Sequence, residues 1–171
     1  METETTDDVP PISGIAEIVL SVADLPKMRA FYTHVLGFRL HSEISMETTE
    51  PDPDGEPTIS FLTIAETETP LGRGGHPQML VLIDYARHVF AKSRLVGHDV
   101  RRSTLNHLAF EIPPSARDAH LERLKKLGIP TTLAEFPNMN ARAIFFSDPE
   151  GNALELISFF SFATNTEAEN A

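Results

Sequence analysis

The chain has 171 residues, of which 41% are hydrophobic and 23% charged, with no cysteine and a formal net charge of -11. That length and composition suit one compact domain, or two small ones sharing a core, and the missing cysteines exclude disulfides, thiolate nucleophiles and thiolate ligands. The acidic balance argues against binding nucleic acid or anionic membrane, both of which reward positive charge.

Residues 1–12 read as a flexible acidic arm with Pro10-Pro11 and no apolar periodicity. Met1–Asp8 lacks the basic-then-apolar pattern of a secretory signal, and no apolar run reaches membrane-spanning length. A cytoplasmic protein is therefore expected, in keeping with the absence of cysteine.

A first module is predicted over 13–84. Ile15–Val22 is a strand by its β-branched content, with Ile18, Leu20 and Val22 on one side and Glu17, Val19 and Ser21 on the other. Asp24 is placed as a helix N-cap, with Pro26 in the first turn, where a missing N–H costs nothing. Met28, Phe31, Tyr32, Val35 and Leu36 give that helix an apolar stripe, and Gly37 ends it as a left-handed cap. Strands follow over 38–45, 58–64 and 78–83. Between them lie an acidic, proline-rich loop and a second loop holding Gly72-Arg73-Gly74-Gly75-His76, whose spacing matches no P-loop. Residues 85–104 form a linker with Arg87, Lys92, Arg94, Arg101 and Arg102. A solvated connecting face is its first reading; a patch for an anionic ligand or a partner is the second.

From Leu105 the order repeats, giving a second module over 105–160. Leu105–Ile112 reads as a strand that sets His107 among apolar residues. Ser115 is placed as an N-cap for a helix over 116–127, with Ala119, Leu121, Leu124 and Leu127 apolar and Gly128 stopping it. Strands are predicted over 131–136, 143–146 and 153–159, with turns at Asn138–Asn140 and Asp148–Asn152. Residues 161–171 read as a flexible polar tail. The two halves overlay: Glu17–Val22 on His107–Ile112, Leu36-Gly37-Phe38 on Leu127-Gly128-Ile129, and Leu80–Ile83 on Leu154–Ile157. The expected fold class is α+β, built from two βαβββ modules.

This arrangement is similar to the vicinal oxygen chelate superfamily, which includes glyoxalase I, extradiol dioxygenases, and fosfomycin- and bleomycin-resistance proteins. The most specific pieces are Phe31-Tyr32 followed by Leu36-Gly37-Phe38, and Asp148-Pro149-Glu150-Gly151-Asn152-Ala153-Leu154-Glu155-Leu156. The resemblance covers about residues 15–159. It implies a glyoxalase-like paired-sheet fold around a cleft, with metal ligands on the first and last strand of each module. Carried over, those positions are Glu17, Val81, His107 and Glu155. Val81 binds no metal, so the resemblance implies a three-ligand site of Glu17, His107 and Glu155, open on the Val81 side. Such a site suits Fe²⁺, Mn²⁺ or Zn²⁺ and leaves a position for water or substrate. Fosfomycin-resistance enzymes and extradiol dioxygenases have histidine where Glu17 stands. The glutamate makes the site harder, favours Mn²⁺ or Fe²⁺, and weighs against an extradiol assignment; Val81 weighs against a faithful glyoxalase I. Glu17 and Glu155 are also the candidate catalytic residues, as carboxylates that shuttle a proton.

The implied activity is that of a metal-dependent lyase or dioxygenase. Its small oxygen-bearing substrate would be held by bidentate chelation or oxyanion stabilisation. The alternative is a metal-free binding protein of the bleomycin-resistance type. Pairing of modules within one chain or in a homodimer fits either.

Plainer readings stand beside these. A lone histidine in an apolar strand is more often a satisfied core residue, and His107 gains weight only because Glu155 and Glu17 fall at matching repeat positions. Glu155 is costly in a core unless it is paired. Glu17 can simply be exposed, and Glu111, on the face of His107, belongs to the site or to its rim. His34, His41, His76, His88, His98 and His120 read as surface residues, with His76 a lesser acid–base candidate. Phe136, Met139 and Arg142 read as core or surface residues before cleft lining.

Overall fold

Aliphatic and β-branched alternation gives eight strands, and apolar residues at helical spacing give two helices, among the residues described in the computed structural model, which are 16–65, 77–92 and 105–160. In the first half these are β1 (Glu17–Val22), α1 (Leu25–His34), β2 (Arg39–Ile44), β3 (Ile59–Ala65) and β4 (Gln78–Asp84). In the second they are β5 (Leu108–Glu111), α2 (Arg117–Lys126), β6 (Thr132–Phe136), β7 (Ala141–Ser147) and β8 (Ala153–Phe159). The chain divides into two units, residues 1–98 and 99–171. No helix among the described residues is long and apolar enough to cross a membrane.

Each unit holds one four-stranded mixed sheet, ordered β1-β4-β3-β2 in the first and β5-β8-β7-β6 in the second. In both, the first strand runs parallel to the last and the other pairings are antiparallel. The registers also agree, since Ile18 faces Leu80 and Leu108 faces Leu154. The repeat therefore holds at the level of paired residues, and it sets Val81 and Glu155 at one position of the unit and Glu17 and His107 at another.

In the first unit α1 lies against β3 and β4. Its buried residues Leu25, Met28, Phe31 and Tyr32 recur at helical spacing, and Leu20, Val22, Leu62, Leu80 and Leu82 are buried on the strands. Each such side chain contributes about 1.5–3 kcal/mol when fully buried. Both ends of α1 are fixed locally. The Asp24 carboxylate accepts from the Lys27 N–H at 3.0 Å, as expected of an N-cap. Past the helix, Gly37 takes φ +76°, the Phe38 N–H reaches the Tyr32 carbonyl at 3.0 Å, and the two rings stack at 5.9 Å. Arg29 of α1 pairs with Glu43 of β2, which also accepts from the Ser60 hydroxyl of β3. Because Ser60, Leu62, Leu80 and Leu82 share one face, the helix covers that face, and Thr63, Met79, Val81 and Glu17 stand on the opposite one.

The second unit departs from expectation in three places. First, α2 starts at Arg117 without a side-chain cap, and Pro114–Ala116 form a 3₁₀ turn in place of a Ser115 cap. The consecutive prolines Pro113-Pro114 offer no N–H and fixed φ angles, so the chain enters through the tighter turn. Second, β7 is longer than predicted because Asn140, at φ +49°, turns the chain directly after Pro137–Met139 and donates its side-chain amide to the Phe160 carbonyl. Third, β5 begins at Leu108, so His107 stands just ahead of the strand instead of within it.

The arm at 1–12, the tail at 161–171, the Gly72–Gly75 run, His76, His98, Arg94, Arg101 and Arg102 lie outside the described residues. Of the expected basic patch, Arg87 is committed to Glu47 at 2.8 Å and Glu56 at 3.2 Å, and the Lys92 ammonium donates to the Glu47 carbonyl. These two cations are thus paired with the acidic loop.

Candidate metal centre

Strand β8 is central in its sheet, flanked by β5 and β7, so the backbone at Glu155 is paired on both sides. Asp148 aims the strand. Its carboxylate accepts from the Glu150 N–H at 3.0 Å, the Asn152 N–H at 2.9 Å and the Asn152 side-chain amide at 2.8 Å, while Gly151 adopts φ +89°. Glu155 then points to the face opposite Leu154 and Leu156, beside its cross-strand neighbours Ala109 and Phe145.

Glu155 is 4% exposed, so its carboxylate needs a partner. His107 supplies one, with Nε2 3.1 Å from Oε2. The other ring nitrogen, Nδ1, is 2.7 Å from Asn106 Oδ1, and the Phe145 ring stands edge-on to the imidazole at 5.8 Å. The His107 side chain is 36% exposed, at the rim of the sheet, so it is not a satisfied core histidine.

The donor count at His107 is informative. With Nδ1–H donating to the Asn106 oxygen, a neutral imidazole presents a lone pair at Nε2. With the ring proton on Nε2 instead, the imidazole donates to the Glu155 carboxylate directly; with it on Nδ1, the Nε2 lone pair faces a carboxylate oxygen at 3.1 Å and a cation must join the two acceptors. A proton does so by making an imidazolium–carboxylate pair, and a divalent ion does so by accepting both lone pairs. The donor set suits the ion: an imidazole held through its far N–H by an oxygen is the usual arrangement of a metal-bound histidine.

Glu17 occupies the position in the first unit that His107 has in the second, and it is exposed. Val81, the counterpart of Glu155, is 1% exposed and pairs with Val19 and Phe61. Among the described residues no group of three or more His, Cys, Asp or Glu side chains is gathered as a metal site. The structure thus brings two of the three sequence-predicted ligands, His107 and Glu155, into contact.

Among the other histidines, His34 and His41 are exposed as expected, but His88 is 3% exposed. It sits in the turn after β4, where its Nδ1 accepts from the Phe90 N–H at 3.2 Å and its ring lies 5.7 Å from that of Phe90. Burial pushes its pKa down, against the pull of Asp84. The linker composition concealed this, because the contact comes from a local turn and not from periodicity. Asn106 and Phe145 were also missed. The repeat carried a signal for Phe145, since Phe61 faces Val81 as Phe145 faces Glu155. No pattern pointed to Asn106.

The sequence profile of the Glyoxalase/Bleomycin resistance protein/Dioxygenase superfamily matches residues 14–156. No curated protein matches the chain. Among solved structures, it is similar to a fosfomycin resistance protein from Listeria monocytogenes, at 22% identity and a TM-score of 0.59, over 88% of this chain and 96% of that one. A lactoylglutathione lyase from Agrobacterium tumefaciens matches at 21% identity and 0.57, over 87% and 96%. An integron cassette protein from the Halifax Harbour sewage outfall matches at 22% and 0.55, over 86% and 100%. The Listeria protein has been solved with Mn(II) and a sulfate ion.

Proposed function

The chain belongs to the Glyoxalase/Bleomycin resistance protein/Dioxygenase superfamily, and from that premise we propose that it is a metal-dependent enzyme acting on a small oxygen-bearing molecule. The observation that carries this reading is the buried Glu155 carboxylate facing the His107 ring nitrogen at 3.1 Å, with the other ring nitrogen held by Asn106. His107 and Glu155 would hold the ion, and Glu17, the repeat equivalent of His107, is offered as the third ligand. Two carboxylates and one imidazole suit Mn²⁺ or Fe²⁺, with Zn²⁺ next. When bound, the ion supplies a Lewis acid that polarises a chelated substrate oxygen or stabilises an oxyanion. The protein's own residues orient and move protons. Asn106 fixes the imidazole tautomer, Phe145 fixes the ring plane, and Glu17, the more exposed carboxylate, accepts and returns a substrate proton.

Lyase and dioxygenase chemistry both fall within this reading, so epoxides such as fosfomycin, 2-oxoaldehyde–thiol adducts and catechols form the substrate screen. It also includes a cytoplasmic location and a homodimer. The test is metal content by mass spectrometry on protein purified without chelators. Stoichiometric Mn, Fe or Zn in the wild type, lost in both His107→Ala and Glu155→Ala, is the expected result. A wild type that is metal-free and takes up none of these ions on reloading would sink the enzyme. The result would then favour a metal-free binding protein of the bleomycin-resistance type, a reading supported by the absence of a gathered third ligand among the described residues.

A further inference from the structure

From the end of β4, residues 84–92 curl into a strap built around two buried polar side chains, Asp84 and His88. Asp84 caps the turn. Its carboxylate accepts from the Ala86 N–H at 2.9 Å and the Arg87 N–H at 3.0 Å, and its carbonyl accepts from the His88 N–H at 3.0 Å. The His88 carbonyl continues the winding, accepting from the Ala91 N–H at 3.0 Å and the Lys92 N–H at 3.1 Å.

The strap grips the acidic loop over 46–57, which carries Glu47, Glu50, Asp52, Asp54 and Glu56. The Val89 N–H donates to the Met46 carbonyl at 2.8 Å, and Arg87 donates to Glu47 and Glu56 at the two ends of the loop. The loop folds back on its own base, since the Met46 N–H donates to the Thr58 hydroxyl at 2.9 Å and the Asp52 N–H to the Ser45 carbonyl at 3.0 Å. Exposed ion pairs like those of Arg87 contribute little. The grip therefore depends on the backbone bond from Val89 and on the buried turn that holds Val89 in place.

His88 seats that turn only as a neutral ring. Its Nδ1 accepts from the Phe90 N–H at 3.2 Å, so its own proton is on Nε2 and a second proton must go to Nδ1. There it would meet a backbone donor fixed in the turn. Burial opposes the charged ring most strongly, Lys92 opposes it too, and Asp84 favours it less than these two resist. Arg87 and the loop carboxylates Glu47 and Glu56 are occupied with one another.

We propose that the strap over 84–92 is an acid-operated latch: a proton on His88 Nδ1 breaks the bond to Phe90, unseats Val89, and frees the loop over 46–57. The released ring takes its proton at the ordinary histidine value and the seated ring at a lower one. The latch is therefore shut above about pH 6.5 and opens as pH falls below it. Each opening takes up one proton, so the open fraction rises by up to about tenfold per pH unit.

Amide hydrogen exchange on the full chain from about pH 7 to about pH 5.5, corrected for the intrinsic rate at each pH, reads the latch in a window above the ordinary carboxylate range. In the wild type, protection at Val89 and at Asp52 should fall together by up to about tenfold per pH unit, while Leu82, on a strand paired on both sides, holds its protection. His88→Asn keeps an acceptor near the place of Nδ1 and does not titrate, so its protection should be flat over this range. Arg87→Gln should lower protection of the loop at every pH and leave the slope unchanged. Flat protection in the wild type overturns the latch, and so does a slope in His88→Asn equal to that of the wild type. A slope abolished by Arg87→Gln would place the proton on the ion pairs and overturn the role of His88. A fall at Val89 without one at Asp52 overturns the hold on the loop, a result the wild type gives even if His88→Asn does not fold.

Discussion

At His88 and Glu155, burial forces a polar side chain to find a local solution, and the two solutions have different consequences. Glu155 answers with an imidazole on its own face, a short distance across the sheet. His88 answers by staying neutral. Desolvation holds its pKa below the usual histidine value, Lys92 adds to the shift, and Asp84 opposes it. Because the folded value is the lower one, the unfolded chain takes up the proton first. His88 therefore contributes full stability above the unfolded pKa, and that contribution falls away as pH drops through the folded pKa. In His88→Gln, the fall in melting temperature between about pH 7 and about pH 5 should be shallower than in the wild type. An equal slope in both proteins would show that other groups, such as His120, whose pKa burial also lowers, carry the acid sensitivity. Residue by residue, the sequence was legible where the repeat applied a second constraint, as at His107 and Glu155. It was not legible at His88, whose burial comes with a local turn after β4 that leaves no periodic trace.

The elements themselves were more legible, because their ends are set by residues with few alternatives. Gly37 and Gly128 close the two helices at φ +76° and +68°, and a Cβ added to either would meet nothing within 4 Å. A substitution at either site is therefore strained by backbone conformation alone, without a clash. Gly37→Ala and Gly128→Ala should each cost about 1 kcal/mol, a fall of about 2–4 °C in melting temperature for a chain of this size. Near-equal losses would confirm that the two positions perform the same turn in both units. A cost well above that at one site would mean its turn is held by tertiary contacts the other lacks. The start of α2 shows the limit of such reading: Ser115 has the right side chain for a cap, but two prolines before it dictate the geometry. The register slips of β2 against β3, between Leu40 and Ser42, and of β3 against β4, between Thr63 and Ala65, were equally hidden, since alternation reports which face a residue takes and not which partner it meets.

Over the whole molecule, two units of the same topology and register have diverged in chemistry. At the last-strand position one unit has Val81 and the other Glu155, and at the first-strand position one has Glu17 and the other His107. The repeat of topology and register is the shared frame, and the asymmetry explains why the His–Glu pair among the described residues occurs in the second unit. The superfamily was legible because the frame repeats over nearly all the described residues, whereas the substrate depends on side chains that the frame leaves free. If the His107–Glu155 pair holds an ion, that ion binds the folded chain and not the unfolded one, and it must stabilise the protein by mass action. Mn²⁺ at about a hundred times its dissociation constant should add about 2.7 kcal/mol, which is about 5–10 °C in melting temperature. A chelator should reverse the gain, and His107→Ala and Glu155→Ala should show none of it. Their melting temperatures without metal then reveal what the pair is worth by itself. Glu155→Ala removes a buried charge and should be tolerated, whereas His107→Ala leaves that charge without a partner and should lower stability further. If instead Mn²⁺ raised the melting temperature of all three proteins equally, the ion would be binding elsewhere, and the imidazole and carboxylate would be joined by a proton.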